Sequence, residues 1–223
     1  MLRFLPLRSQ FVLSGNVRDL HVHEPSPGSI TAAGLTTVLI DQLKKAGYQR
    51  IATFDLASGF RGVAAGNNAS DADETLKSVG LTPTNGVAAA GIDLLAQTLD
   101  RFVPLDGTPA VLVVDFASRL IVRHEALSAA EHQLFSRALI LSHSARVRPA
   151  GPDRQPFFNT VIWIVDKEGD LPDWFLVGNP RIRHIPVAKP DHPARKSLVP
   201  FLVKSLPGAR EVPSRGWLEM RVA

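Results

Sequence analysis

Five short apolar runs punctuate the chain: residues 10–14 (QFVLS), 49–54, Ala110–Val114 (AVLVV), 160–165 (TVIWIV) and Ile182–Val187. Each is strand-sized, and AVLVV has the unbroken hydrophobicity of a strand covered on both faces of a parallel sheet. Between them lie segments with helical period. Over 31–46, Leu35, Val38, Leu39 and Leu43 fall on one face and Gly47 closes the turn. Ile92, Leu95, Leu99 and Phe102 form a second stripe. A third helix spans 127–142, with Ser128 and Glu131 at capping-box spacing, and a fourth spans 193–206. Segment 16–30 reads as a long loop rich in Pro, Gly and His. Segment 57–85 reads as a loop carrying one short helix, and 146–156 as a third loop. Strands alternating with helices predict an α/β protein: a parallel sheet of five strands between helical layers, a three-layer sandwich. No internal repeat breaks the pattern. Residues 1–206 are expected to form the core and 207–223 an extension or linker.

Composition narrows this little. At 223 residues and 45% hydrophobic, the chain can bury one full α/β core. No apolar run is long enough to cross a membrane as a helix, and MLRFLPLRSQFVLSG lacks the continuous apolar centre of a secretory signal, so a cytoplasmic setting is expected. The absence of cysteine excludes disulfides and thiolate-bound zinc. Net charge is +4, with the basic residues concentrated late: Arg181, Arg183, Lys189, Arg195, Lys196, Lys204, Arg210, Arg215 and Arg221. Such a surface can meet phosphate, an acidic partner or nucleic acid.

Three strand ends carry candidate chemistry. AVLVV ends at Asp115, a carboxylate at a sheet's C-terminal edge, where an acid can hold Mg²⁺ through water. TVIWIV ends at Asp166, and Arg181 and Arg183 flank Ile182. Guanidinium is permanently charged and pairs with phosphate oxygens two at a time. The first strand leads into FVLSGNVRDLHVHEPSPGSITAAG. It contains Gly15, Asn16, Arg18 and Gly28, but no G-x-x-x-x-G-K-S/T, and no lysine precedes Lys44. His21, His23 and Glu24 offer a metal-binding alternative. Asp55 stands where dinucleotide folds keep a ribose-binding acid, yet no G-x-G-x-x-G follows the first strand, and no G-x-S-x-G marks a nucleophile elbow. Trp163 is expected in the core, and Trp174 and Phe175 either in the core or at a subunit contact. No aromatic platform for RNA is present.

Together, AVLVVD, TVIWIVD, LPDWFLVGNP, Arg181, Arg183, the Ile185-Pro-Val strand and Lys189-Pro-Asp191 followed by Arg195 resemble the second half of an AAA+ ATPase core of the P-loop NTPase class. The segment GNVRD resembles N-terminal modules of bacterial AAA-family ATPases. The resemblance implies a strand order of 5-1-4-3-2, numbered along the chain, and no helical lid before Ala223. It implies ATP and Mg²⁺ as cofactors, with Asp115 as the metal-associated acid of a Walker B strand. Asp166 falls at the sensor position, and Arg181 and Arg183 at the arginine fingers that reach a neighbour's ATP. Gly15, Asn16, Arg18 and Gly28 fall in the degenerate phosphate loop, with Arg18 as substitute cation. Phe116 replaces the glutamate that polarises water, and neither Glu125 nor Glu131 is an assumed replacement. The partners implied are other AAA+ subunits, identical or not, and a protein substrate. Two readings stay open beside an ATPase part: a pseudo-ATPase scaffold, and an α/β domain binding nucleic acid or a partner through its basic C-terminal surface.

Overall fold

The computed structural model describes residues 1–64, 70–150 and 154–204, without the side chains of 200–202 and 204. Along the chain the elements are β1 (Gln10–Gly15), β2 (Leu20–Ser26), β3 (Ser29–Gly34), α1 (Leu35–Lys45), β4 (Arg50–Asp55), β5 (Gly59–Val63), α2 (Ser70–Ser78), β6 (Val87–Ala88) and α3 (Ile92–Phe102). They continue with β7 (Ala110–Val114), α4 (Ala129–Ser144), β8 (Arg148–Ala150), β9 (Gln155–Phe157), β10 (Thr160–Ile164), α5 (Asp173–Leu176), β11 (Ile182–Val187) and α6 (His192–Lys204).

The main sheet runs β11-β1-β10-β7-β4-β5-β6. Its first five strands are parallel and stand in the expected order, fifth, first, fourth, third, second. Every residue of β7 and β10 is buried, as the continuous apolar runs require. Strand alternation divides the core in two. Leu112, Val114, Val161 and Trp163 face α3, α4 and α5, while Val111, Val113, Ile162 and Ile164 face α1. On the first face Trp163 packs against Phe135 and Phe175, and its indole N–H donates to Gln10 Oε1 at 3.0 Å. The Gln10 amide in turn donates to the Ala138 carbonyl, tying β1 to α4. Asn159 braces the opposite end of the sheet. It accepts from Ala110 N–H and donates to carbonyls at Phe102, Val103 and Leu105. Trp174 is 43% exposed and stacks near His132, while Phe175 is fully buried.

Three expectations are corrected. Segment 57–85 carries its one short helix, α2, as expected, but it also contributes a strand, β5, and β5 and β6 extend the sheet antiparallel beyond β4. Gly62 permits this, since a Cβ there would overlap the Ala72 carbonyl of α2. Segment 16–30 is largely a hairpin, β2 pairing with β3. Consequently α1 begins at Leu35, because residues 31–34 are held in β3. No apolar run marks the hairpin, because Leu20, Val22 and Ile30 stand singly among polar and small residues and neither strand has a buried residue. The expected extension at 207–223 and the end of the last helix, 205–206, lie outside the described residues. Among the described residues no helix is long and apolar enough to cross a membrane.

Candidate functional site

Parallel β1, β10 and β7 all end at the same edge, so the residues that follow them meet there. Asp115 follows β7, Asp166 lies just past β10, and Gly15 to Arg18 leave β1. Arg18 joins the two acids: its Nη1 donates to Asp115 Oδ1 at 2.6 Å and its Nε to Asp166 Oδ1 at 2.9 Å. Arg119 Nη2 donates to Asp166 Oδ2 at 3.1 Å. Two carboxylates and two guanidinium groups thus cancel.

Each carboxylate oxygen has a donor, and further hydrogen bonds tie the edge together. Asp115 Oδ1 receives the Phe116 N–H at 2.7 Å, and Oδ2 receives the Thr36 hydroxyl at 2.8 Å. The Asp166 N–H donates to Ser118 Oγ, whose own proton goes to Asp170. Phe116 adopts a left-handed backbone (φ 50°), an unusual state for a bulky residue. Its ring lies beneath Arg18, 3.6 Å from the guanidinium carbon, so the cation is held between an aromatic face and two acids.

The turn after β1 is equally closed. Gly15 has φ 95°, and a Cβ there would stand 2.9 Å from the Val187 carbonyl oxygen, so glycine alone fits. Its N–H donates to the Asp166 carbonyl, that of Asn16 to the Val187 carbonyl, and that of Val17 to the Gly15 carbonyl. The side-chain nitrogen of Asn16 is buried with no hydrogen-bond partner among the described residues.

Of the residues singled out in the sequence, Asp115, Asp166, Arg18 and Gly15 come together, with Asn16 beside them in the chain. Gly28 does not join them. It occupies the β2–β3 turn (φ 80°), where its N–H donates to Glu24 and open space surrounds its Cα. Arg181 and Arg183 sit toward the other end of the sheet, since Ile182 pairs with Gln10 at the start of β1. Both arginines are exposed, and the Arg183 guanidinium lies over the Phe4 ring at 4.8 Å.

Thr36 and Arg119 escaped the sequence reading. Thr36 had a signal: Gly34-Leu35-Thr36-Thr37 opens α1 where a phosphate loop would read Gly-Lys-Thr, with Leu35 at the lysine position. The intervening hairpin moved that signal twenty residues downstream of β1 in sequence terms, roughly a hairpin's length beyond a normal loop. Arg119 had none.

The metal alternative is corrected. Among the described residues no group of three or more His, Asp or Glu side chains converges as a metal would require. His23 Nε2 lies 3.5 Å from Asp41, which Lys45 holds at 2.7 Å, and Glu24 is engaged by Gly28. The Lys45 hydrogen bond keeps the Asp41 carboxyl below its usual range. Asp55 accepts the N–H groups of Ala57 and Ser58 and so shapes the β4–β5 turn. Of the basic C-terminal series, Arg210, Arg215 and Arg221 lie outside the described residues.

Comparison with known proteins gives one result. The model of a family described as AAA+ chaperone, N-terminal Rossmann-like domain, matches residues 5–188. No curated protein matches the chain.

Proposed function

Because this chain belongs to the AAA+ chaperone N-terminal Rossmann-like domain family, we propose that it is a pseudo-ATPase: an assembly module within an AAA+ oligomer that neither requires nor hydrolyses ATP. The observation that carries this reading is the state of the turn after β1. A phosphate loop works by pointing unsatisfied backbone N–H groups and one ammonium at the phosphates. Here the N–H groups of Gly15, Asn16 and Val17 are spent on main-chain carbonyls, and Leu35 stands at the lysine position.

The fit of the metal fails for a related reason. Mg²⁺ demands octahedral oxygen ligands and is recruited by free carboxylates and a Ser/Thr hydroxyl. Asp115 and Thr36 are the residues of the right type, but they are bonded to each other, and Arg18 already supplies the positive charge. A cation entering this site would meet a guanidinium at contact distance. The donor set therefore suits a self-satisfied sheet edge better than ATP–Mg²⁺.

Equilibrium binding of a fluorescent ATP analogue, with and without Mg²⁺, tests the reading. No saturable binding up to millimolar nucleotide is the expected result. Mg²⁺-dependent binding that disappears in Asp115→Ala would overturn it.

One contribution to a neighbour's chemistry remains part of the proposal. Arg181 is exposed, with its main-chain N–H fixed by Asn179. It is the arginine we assign as a finger reaching the ATP of an adjacent AAA+ subunit, in preference to Arg183, whose guanidinium rests on Phe4 of its own chain. A cytoplasmic setting and a protein substrate for the assembled oligomer complete the proposal.

A further inference from the structure

A second constellation lies at the same sheet edge, built from residues that the site above does not use. Ser14 occupies the C-terminal end of β1, His184 lies on the neighbouring β11, and Glu168 stands in the turn after β10. Parallel pairing of β1 with β11, and a side-chain period of two, put His184 on the same sheet face as Val12 and Ser14. The Ser14 hydroxyl lies 2.6 Å from His184 Nε2, and the Glu168 carboxylate lies 3.1 Å from His184 Nδ1.

These distances fix the roles. An ionised carboxylate only accepts, so Glu168 calls for a proton on His184 Nδ1, the tautomer that suits a base. Nε2 then carries the lone pair, and the Ser14 O–H donates to it. Nucleophile, base and orienting acid thus stand in the order of a serine triad, a pattern defined by geometry and not by chain order. Two residues on, the Asn16 side-chain nitrogen is a buried donor with no partner among the described residues.

The geometry points to Ser14 as a base-activated nucleophile that is acylated by small carboxylic esters, an activity independent of the pseudo-ATPase reading. Ser14 is only 5% exposed, which confines the substrate to small acyl groups entering past His184 and the largely exposed Glu168. In the step, Ser14 Oγ bonds to the ester carbonyl carbon while its proton moves to Nε2. The bond from carbon to the leaving oxygen then breaks, and Nε2 returns the proton to that oxygen. Water repeats the sequence on the acyl-serine and releases the acid, leaving enzyme and proton count unchanged.

The experiment is covalent labelling of the full chain with a fluorophosphonate probe, located by peptide mass spectrometry, alongside hydrolysis of p-nitrophenyl acetate. The expected result is a single adduct on Ser14. Labelling and hydrolysis should both be lost in Ser14→Ala, slowed about 100-fold or more in His184→Gln, and slowed at least ~10-fold in Glu168→Gln. Glu168 is exposed, so its variant tests the role of the acid without disturbing the core. Absence of an adduct at Ser14 overturns the inference. So does labelling at Ser14 whose rate is unchanged in both the His184 and Glu168 variants.

Discussion

Arg18 shows how much a single side chain can decide at this sheet edge. Its guanidinium bridges Asp115 and Asp166 while lying on Phe116. Such half-buried pairs outweigh surface ion pairs, and removing one partner strands the other's charge. Arg18→Ala is expected to destabilise the fold by about 2 kcal/mol, and a double-mutant cycle with Asp115→Ala should give a coupling of about 1 kcal/mol or more. Additive denaturant midpoints would show that the bridge is incidental. Tyr48 acts at the other end of the pH scale. It is 2% exposed, and its hydroxyl is shared with the Phe158 carbonyl and Thr160. Burial pushes its pKa up to about 12, against an opposing hydrogen bond from Thr160. The folded state therefore holds the phenol proton longer than the unfolded chain, which releases it near its ordinary value of about 10. The stabilisation is complete below pH ~10 and is lost as pH rises from there through ~12. Urea titrations across that window should show a steeper alkaline loss for the wild type than for Tyr48→Phe.

At the scale of elements, α4 illustrates local sequence acting unaided. Ser128 Oγ accepts the Glu131 N–H and the Glu131 carboxylate accepts the Ser128 N–H, a reciprocal cap that the S-x-x-E spacing announces. Glu131 also accepts the Val122 N–H, anchoring the preceding loop. Burial raises its carboxyl pKa, but the N–H donors from Ser128 and Val122 outweigh it, and the net shift is downward. A lowered carboxyl stabilises above its unfolded value, about 4.3, and that contribution is lost as pH falls through the folded value. Glu131→Gln is expected to cost about 1–2 kcal/mol at pH 7 and to flatten the acid limb of the stability profile. An unaltered acid limb would remove Glu131 from the account. The β2–β3 hairpin makes the contrasting case. Each strand is half-exposed in its middle and exposed at its ends, and none of its residues is buried, so neither period declares it. Its pairing and its contacts with α1 and α6 hold it in place.

At the scale of the molecule, the proposed function lies between subunits. If Arg181 completes a neighbour's ATP site, Arg181→Ala should lower the ATPase rate of the assembled AAA+ partner by ~10³-fold, the usual worth of a finger. Arg183→Ala, whose guanidinium rests on Phe4 within its own chain, should leave that rate near wild type. Equal rates in both variants and the wild type would remove the trans contribution while leaving the fold assignment intact.

The apolar runs by themselves determined the parallel sheet, because a strand covered on both faces has no alternative to near-continuous hydrophobicity. The S-x-x-E spacing determined where α4 starts, and strand-end acids at 115 and 166 marked the sheet edge that holds the candidate site. These are local signals, readable within a few residues. Tertiary structure alone decided what that edge has become. Whether Asp115 faces a metal or an arginine depends on Arg18, 97 positions away. Whether Ser14 is a buried strand hydroxyl or a partner of His184 depends on a residue 170 positions away. Charge neutralisation and hydrogen-bond satisfaction act through space, over a few ångströms, between residues that chain order keeps far apart.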